Sequence, residues 1–417
     1  MAINSGAPRE PFHLSMLVND ARYRARTIQV MTFCLLVLAA GWLVDNTIRN
    51  LAALGKDFSF GFLWNTAGYD IAPHAIDYSS TSTHARAALV GLLNTLIVAA
   101  MACVTATVIG VFAGVLRLSN NWIVARLMTV YVESFRNIPA LLWIIVVAAV
   151  MSEAMPAPNA FRGENPTASM LIWNSIAVTN RGIYVPVPDF SRSLGEAPSV
   201  LGGFDLNYAA ILIVLALSFL THRALVSQAE RIQGATGERP ATWWKSLCVF
   251  VVPVVALLYA IGFHLDYPVL KGLNFTRGLQ LRNSFIALWI GLSVYTGAFI
   301  AENVRSGILA ISRGQSEAAQ ALGLSPARTM RLVILPQALR IIVPPLISQY
   351  LNITKNTSLG LAVGYMDLRS TLGGITINQT GRELEGMLLM MLIYVSISLT
   401  ISAVMNIYNS RVRLKER

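Results

Sequence analysis

One cation, Lys355, stands inside an apolar run long enough to cross a membrane, flanked by Asn352, Thr354, Asn356, Thr357 and Ser358. A charge and this many polar groups are expensive in hydrocarbon, so they should face protein or a water-filled cavity. A solute carrying both charges would need a cationic or N–H partner for its anionic group and oxygen acceptors for its cationic one, and this knot carries both. Asn94 and Thr95 sit near the start of an earlier apolar run and could line the same path. Each set has a plainer use. Lys355 can snorkel to the outer interface, and Asn94 and Thr95 can hydrogen-bond a neighbouring helix. Covalent chemistry is absent from the pattern. The chain has no Gly-x-x-x-x-Gly-Lys phosphate cradle, no Gly-x-Gly-x-x-Gly after a strand and no His-Glu-x-x-His. Its five histidines lie apart, and Cys34, Cys103 and Cys248 all fall in apolar runs, where free Cys behaves as a small hydrophobe. No catalytic residue, metal or cofactor is expected.

A second constellation is polar and basic, between two apolar runs: Glu317 to Pro336, EAAQALGLSPARTMRLVILP. Good helix formers fill Glu317 to Leu322, and Gly323 suits the left-handed residue that ends a helix. Ser325 stands where an N-cap belongs and Pro326 at the first helical position, where its missing N–H costs nothing. The next helix puts Met330, Val333 and Ile334 on one face, and Pro336 predicts a kink or stop. Helices this short are marginal alone and need another surface to hold them. The stretch resembles the cytoplasmic EAA loop of ABC-importer permeases. That pattern runs Glu-Ala-Ala, three residues, Gly, nine residues, Ile, one residue, Leu-Pro. Glu317, Ala318, Ala319, Gly323, Leu335 and Pro336 match it, with Val333 in place of Ile. The resemblance implies that the loop docks on a separate cytoplasmic ATPase.

The elements that carry these residues are membrane spans. The 417 residues are 55% hydrophobic and 13% charged, with a mean hydropathy of +0.57, whereas soluble domains carry about 25% charge. Apolar runs predict an all-α integral membrane protein of eight spans: 28–44, 88–116, 138–151, 207–220, 246–264, 284–300, 341–361 and 386–408. Residues 131–136 are expected to lengthen the third, and Pro253 and Pro344–Pro345 to interrupt the fifth and seventh. The reading divides the chain into an extra helix and connection at 1–87, a permease domain at 88–410 and a basic tail at 411–417. The permease domain includes an extracytoplasmic insertion at 153–206 and the EAA loop at 304–337. Eight spans put both termini on one side. The segments on that side hold 20 Lys and Arg, and the longer segments opposite hold 11. The positive-inside rule then places both termini and the EAA loop in the cytoplasm. The net charge of +11 is scattered between spans, which fits an anionic membrane surface and not nucleic acid.

A further likeness narrows the family. Gly91 to Leu96 (GLLNTL), Leu116 to Ser119, and Tyr131 to Pro139 (YVESFRNIP) resemble permeases of the polar amino acid importers, which serve histidine, glutamate, glutamine and general L-amino acids. Asn137 and Ile138 replace the usual Gly and Thr, which leaves the subgroup open. Ala301, Glu302, Arg305 and Gly307, then Gly314 and Gln315, continue the match, as do Lys355, Thr357, Ser358 and Leu359. The likeness covers 91–151 and 207–408. It implies alternating access driven by cytoplasmic ATPase subunits, with a second related permease chain, an extracytoplasmic amino-acid-binding protein and an L-amino acid substrate as partners. The alternative is an ion-coupled secondary amino acid transporter, which would need buried ionisable residues that the spans barely offer. Two charged pairs three residues apart, Glu133–Arg136 and Glu302–Arg305, are expected as local ion pairs.

Overall fold

The computed structural model describes residues 21–412, apart from 54, 56, 164, 200 and 201. Of the basic tail expected at 411–417, residues 413–417 lie outside the described residues. The chain divides after Gly61 into two units. Among the described residues the first holds one helix, α1 (Ala21–Ala53), whose 33 residues extend the expected span at both ends.

In the second unit, α2 (His84–Leu116) starts at an N-cap in which the Thr83 hydroxyl accepts from the Arg86 N–H at 3.3 Å. Next come α3 (Trp122–Asn137), capped by Asn121, and α4 (Ala140–Ala149), prolonged by a wide turn at Val150–Ala154. Those two axes meet at 107°, so Tyr131–Arg136 joins the third span only across a sharp bend. The cause is local. Ile138 precedes Pro139 and is forced into the extended region (φ −110°, ψ 134°), which breaks the helix there.

Two longer helices follow, α5 (Leu206–Thr236) and α6 (Trp243–Ala260). Then come α7 (Asn283–Leu309), α8 (Arg313–Ala321), α9 (Pro326–Thr329), α10 (Leu335–Asn356) and α11 (Glu383–Val412). Seven described helices are long and apolar enough to cross a membrane, and eight when the bent α3–α4 pair is counted as one span.

The connections are not helical, which sequence periodicity did not disclose. Among the described residues, nine strands of three or four residues form small antiparallel sheets. They are β1 (Ala177–Thr179), β2 (Gly182–Val185), β3 (Val187–Phe190), β4 (Glu196–Ser199), β5 (Gly202–Asp205), β6 (Phe263–Asp266), β7 (Val269–Lys271), β8 (Asn274–Thr276) and β9 (Leu279–Arg282). β9 pairs with β2 and β6 with β3, so the connection after α6 folds onto the one before α5. A small core of Ala177, Tyr184 and Phe275, with Phe161 against it, holds this lobe together. Strands this short escape a period-2 reading, because three residues cannot display alternation.

α7 is the centre of the packed core. Ile286, Leu288, Leu292, Ile300 and Ala301 on it are fully buried against α2, α4 and α10. Small residues set the α2–α7 distance. A Cβ on Gly110 would lie 2.8 Å from the carbonyl oxygen of Gly297, and one on Gly114 2.6 Å from that of Ala301. Both neighbours are backbone, so neither site can take a larger residue without parting the helices. The hairpin of α5 and α6 is tied by His222 Nδ1 and the Ser246 hydroxyl at 2.9 Å, and no residue of α6 is buried. The likeness expected over 207–408 takes in this hairpin. Its burial sets it apart from the helices that pack on α7.

Candidate functional site

The EAA segment folds as α8, a tight turn, α9, a wide turn at Met330–Ile334 and the start of α10. Gly323 has φ +79°, as its position required. Its N–H donates to the Gln320 carbonyl at 2.9 Å and the Leu324 N–H to that of Ala319 at 3.1 Å, the paired bonds of a Schellman cap. Ser325 takes the N-cap backbone conformation, though its hydroxyl makes no cap bond, and Pro326 opens α9. Pro336 does not stop the helix. It lies in the first turn of α10, directly after the wide turn, whose looser ladder absorbs the missing donor. Pro344–Pro345 are likewise carried inside α10, and the interruption comes later, where the helix tightens to a 3₁₀ form at Thr357–Val363.

Glu317, Ala318, Gly323, Leu335 and Pro336 are exposed, whereas Ala319 is buried within the chain. Ala319 therefore anchors α8, and its neighbours offer a free surface. Of the three apolar residues expected on one face, Ile334 is buried, Val333 half-buried and Met330 exposed, because the wide turn breaks the 3.6-residue period. The Gln337 side chain ties the segment to α10, donating to the Val333 carbonyl at 3.1 Å and to Gln315 Oε1 at 3.4 Å. Leu322, which the sequence reading passed over, is 83% exposed at the tip of the turn. Its signal was present in the sequence: a large apolar residue immediately before a helix-ending glycine.

The polar knot splits into two faces. Thr354 and Thr357 are buried, their hydroxyls bonded to the carbonyls of Tyr350 and Thr354 at 2.9 and 2.8 Å. Ser358 is half-buried and bonds back to the Lys355 carbonyl. Ser348, Asn352 and Lys355 instead share one exposed stripe of α10, at the four- and three-residue spacing of a helix face. Lys355 has no ion-pair partner among the described residues.

Asn94 and Thr95 lie elsewhere, buried at the start of α2. Asn94 donates to the carbonyls of Pro73 and Met366, both at 2.9 Å, and accepts the Tyr365 hydroxyl on its own carbonyl. Thr95 accepts from the Leu368 N–H at 3.0 Å. Together they fasten α2 to the segment 365–371. The Asp367 carboxylate caps that segment by accepting from the N–H and hydroxyl of Ser370. Burial pushes the Asp367 carboxyl above its usual range, and the Ser370 bonds oppose that push. The Tyr394 hydroxyl of α11 donates to the Asp367 carboxylate at 3.5 Å.

Glu302 pairs with Arg305 at 2.8 Å, as the spacing predicts. Glu133 does not pair with Arg136. It turns to Arg117 at 3.6 Å, and Arg136 turns to Glu302 at 3.9 Å, since the break at Pro139 brings the end of α3 against α7.

The comparisons agree with this architecture. Residues 243–414 match the family described as the binding-protein-dependent transport system inner membrane component. The chain belongs to the amino acid ABC-importer permeases of that family: it is a multi-pass inner-membrane transport subunit, not an enzyme. Along its whole length it is 57% identical to the whole of the glutamate/glutamine/aspartate/asparagine transport system permease protein BztB of Rhodobacter capsulatus. It is 41% identical to the putative amino-acid ABC transporter permease protein YhdX of Escherichia coli, over 94% of this chain and 95% of that one. It is 40% identical to the general L-amino acid transport system permease protein AapQ of Rhizobium johnstonii, over 95% and 94%. The ion-coupled secondary transporter is set aside by this membership.

Proposed function

We propose that this permease carries polar L-amino acids, acidic ones and their amides foremost, and that cytoplasmic ATPase subunits drive it through the EAA loop. The relatives' substrates support the first part. Support for the second is the exposed set Glu317, Ala318, Leu322, Gly323, Leu335 and Pro336, a surface on short helices that their own chain leaves uncovered. The charge bias across the spans supports placing both termini and this loop in the cytoplasm, with the β lobe outside. A second related permease pairs with this chain, and an extracytoplasmic amino-acid-binding protein delivers substrate. In domain terms, α1 is an addition to the permease core. The extracytoplasmic insertion spans 153–206, and the family match over 243–414 keeps α6 with the permease domain.

The single observation that carries the substrate path is Lys355, an unpaired cation on a spanning helix beside Asn352. Hydrocarbon would not tolerate that stripe, so it lines a polar passage, and Lys355 meets the carboxylate of the passing amino acid. Asn94, Thr95, Thr357 and Ser358 support the wall of that passage and do not contact substrate first. Lys355→Met in the reconstituted complex is expected to lower uptake roughly tenfold or more, the value of one charge-assisted hydrogen bond of about 1.5–3 kcal/mol. Assembly and basal ATP hydrolysis stay near wild type. Wild-type uptake kinetics in that variant would return Lys355 to the membrane interface.

A further inference from the structure

The inner ends of three core helices converge on a single carboxylate, Glu302. It lies on α7, two turns before the helix ends and the EAA segment begins. Arg117, just past the end of α2, donates to it. Arg136, in the last turn of α3, stands 3.9 Å away, and Arg305, one turn on, donates at 2.8 Å. Arg117 is the most enclosed of the three, its side chain 9% exposed, and it also reaches Glu133 at 3.6 Å. Three guanidiniums therefore share two carboxylates, and Glu302 alone joins all three.

The place matters more than the pairing. Arg136 precedes the 107° elbow between α3 and α4 by two residues. That elbow is packed from both sides. Phe135 stacks on Trp143 across it with ring centroids 3.9 Å apart, and Arg136 lies over the Phe299 ring of α7 at 5.5 Å. The Tyr131 hydroxyl donates to the Val294 carbonyl of α7 at 2.7 Å. Proline at the break supplies no N–H to hold the two helices in line. The elbow angle is thus set by what α3 grips on α7.

We propose that Glu302 is a positioning residue for coupled transport: it locks the α3–α4 elbow to the helix that carries the EAA loop. A displacement of the loop by the ATPase then moves α4 together with α7 and is not absorbed as a change of the elbow angle. The inference rests on the coupling reading given above. A surface salt bridge would contribute little, but one carboxylate shared by several partly buried guanidiniums is lost as a unit when its centre is neutralised.

The test uses Glu302→Gln in the complete importer, assembled with its ATPase, companion permease and binding protein in proteoliposomes. The ATPase is expected to copurify at the wild-type ratio, and ATP hydrolysis still rises with loaded binding protein. The amino acid moved per ATP falls roughly tenfold, and Glu302→Asp recovers part of it. Arg136→Gln, a more exposed position, gives the same readout should Glu302→Gln assemble poorly. Uptake and hydrolysis falling together, in proportion to the complex recovered, would make the cluster a structural brace only, and an unchanged ratio would remove the role altogether. If the coupling reading itself is wrong, Gly323→Asp transports normally whatever Glu302 does, so the two failures are distinguishable.

Discussion

Gly323→Asp is expected to leave the chain in the membrane at normal amounts and to abolish uptake, a loss of at least about a hundredfold. Among the described residues, none beyond its chain neighbours lies within 4 Å of a Cβ at this position, so the substitution meets no clash there. The φ of +79° costs a side chain something, but Asp is among the residues that tolerate the left-handed region, and the strain is about 1 kcal/mol. Strain of that size does not unfold a membrane protein or silence it. The added carboxylate acts where α8 turns into α9, beside Leu322 at the tip of the loop, on a surface whose role is to be covered. A hundredfold loss corresponds to roughly 3 kcal/mol of lost docking, within the range of one disrupted interface anchor. Copurification of the ATPase should fall with uptake. Gly323→Ala, with similar strain and a smaller group, is expected to keep much of both. Normal uptake by Gly323→Asp at normal expression would remove the coupling role of the loop.

Gly114→Leu is expected to do the opposite: to reduce the amount of assembled protein and leave any surviving complex coupled. Its Cβ would sit 2.6 Å from the Ala301 carbonyl oxygen and 2.9 Å from the Val304 Cβ, on the most buried helix of the core. A backbone atom cannot rotate away, so α2 and α7 would part. Overpacking of this kind costs about 1–3 kcal/mol, more where the backbone itself is the obstacle. Thermal unfolding in detergent should drop by several degrees, and Gly110→Leu should behave alike. Gly314→Ala, where nothing lies within 4 Å, is the control and should match wild type in both yield and uptake.

The spans and the coupling loop were legible in the sequence because both depend on local signals. Hydropathy over a window finds helices such as Ala21–Ala53 and Asn283–Leu309 without tertiary information. The cap at Gly323 follows from one residue with special backbone freedom and a proline three positions on. What escaped depends on partners distant in the chain. Strands of three or four residues show no period, and β2 finds β9 across almost a hundred residues. Glu133 and Arg136 look like a helical pair by spacing, yet the break at Pro139 hands each a different partner. Asn94 and Thr95 read as polar residues in a span, and only the fold reveals that residues 365–371 consume their hydrogen bonds. Pro336 failed as a stop signal because the wide turn before it is a property of the packed segment, not of the residue. Lys355 was legible as costly, and the structure adds which neighbours share its face.

In the function proposed, ATP hydrolysed on the EAA-loop side drives uptake from the lobe side. The most direct measurement is amino acid uptake by sided proteoliposomes holding the complete complex. ATP is placed with the EAA loop, and substrate-loaded binding protein with the lobe. The expected result is uptake that requires ATP and ATPase on the loop side, needs the binding protein on the other, and persists when every ion gradient is collapsed. Uptake that survives removal of the ATPase but disappears with an ion gradient would contradict it.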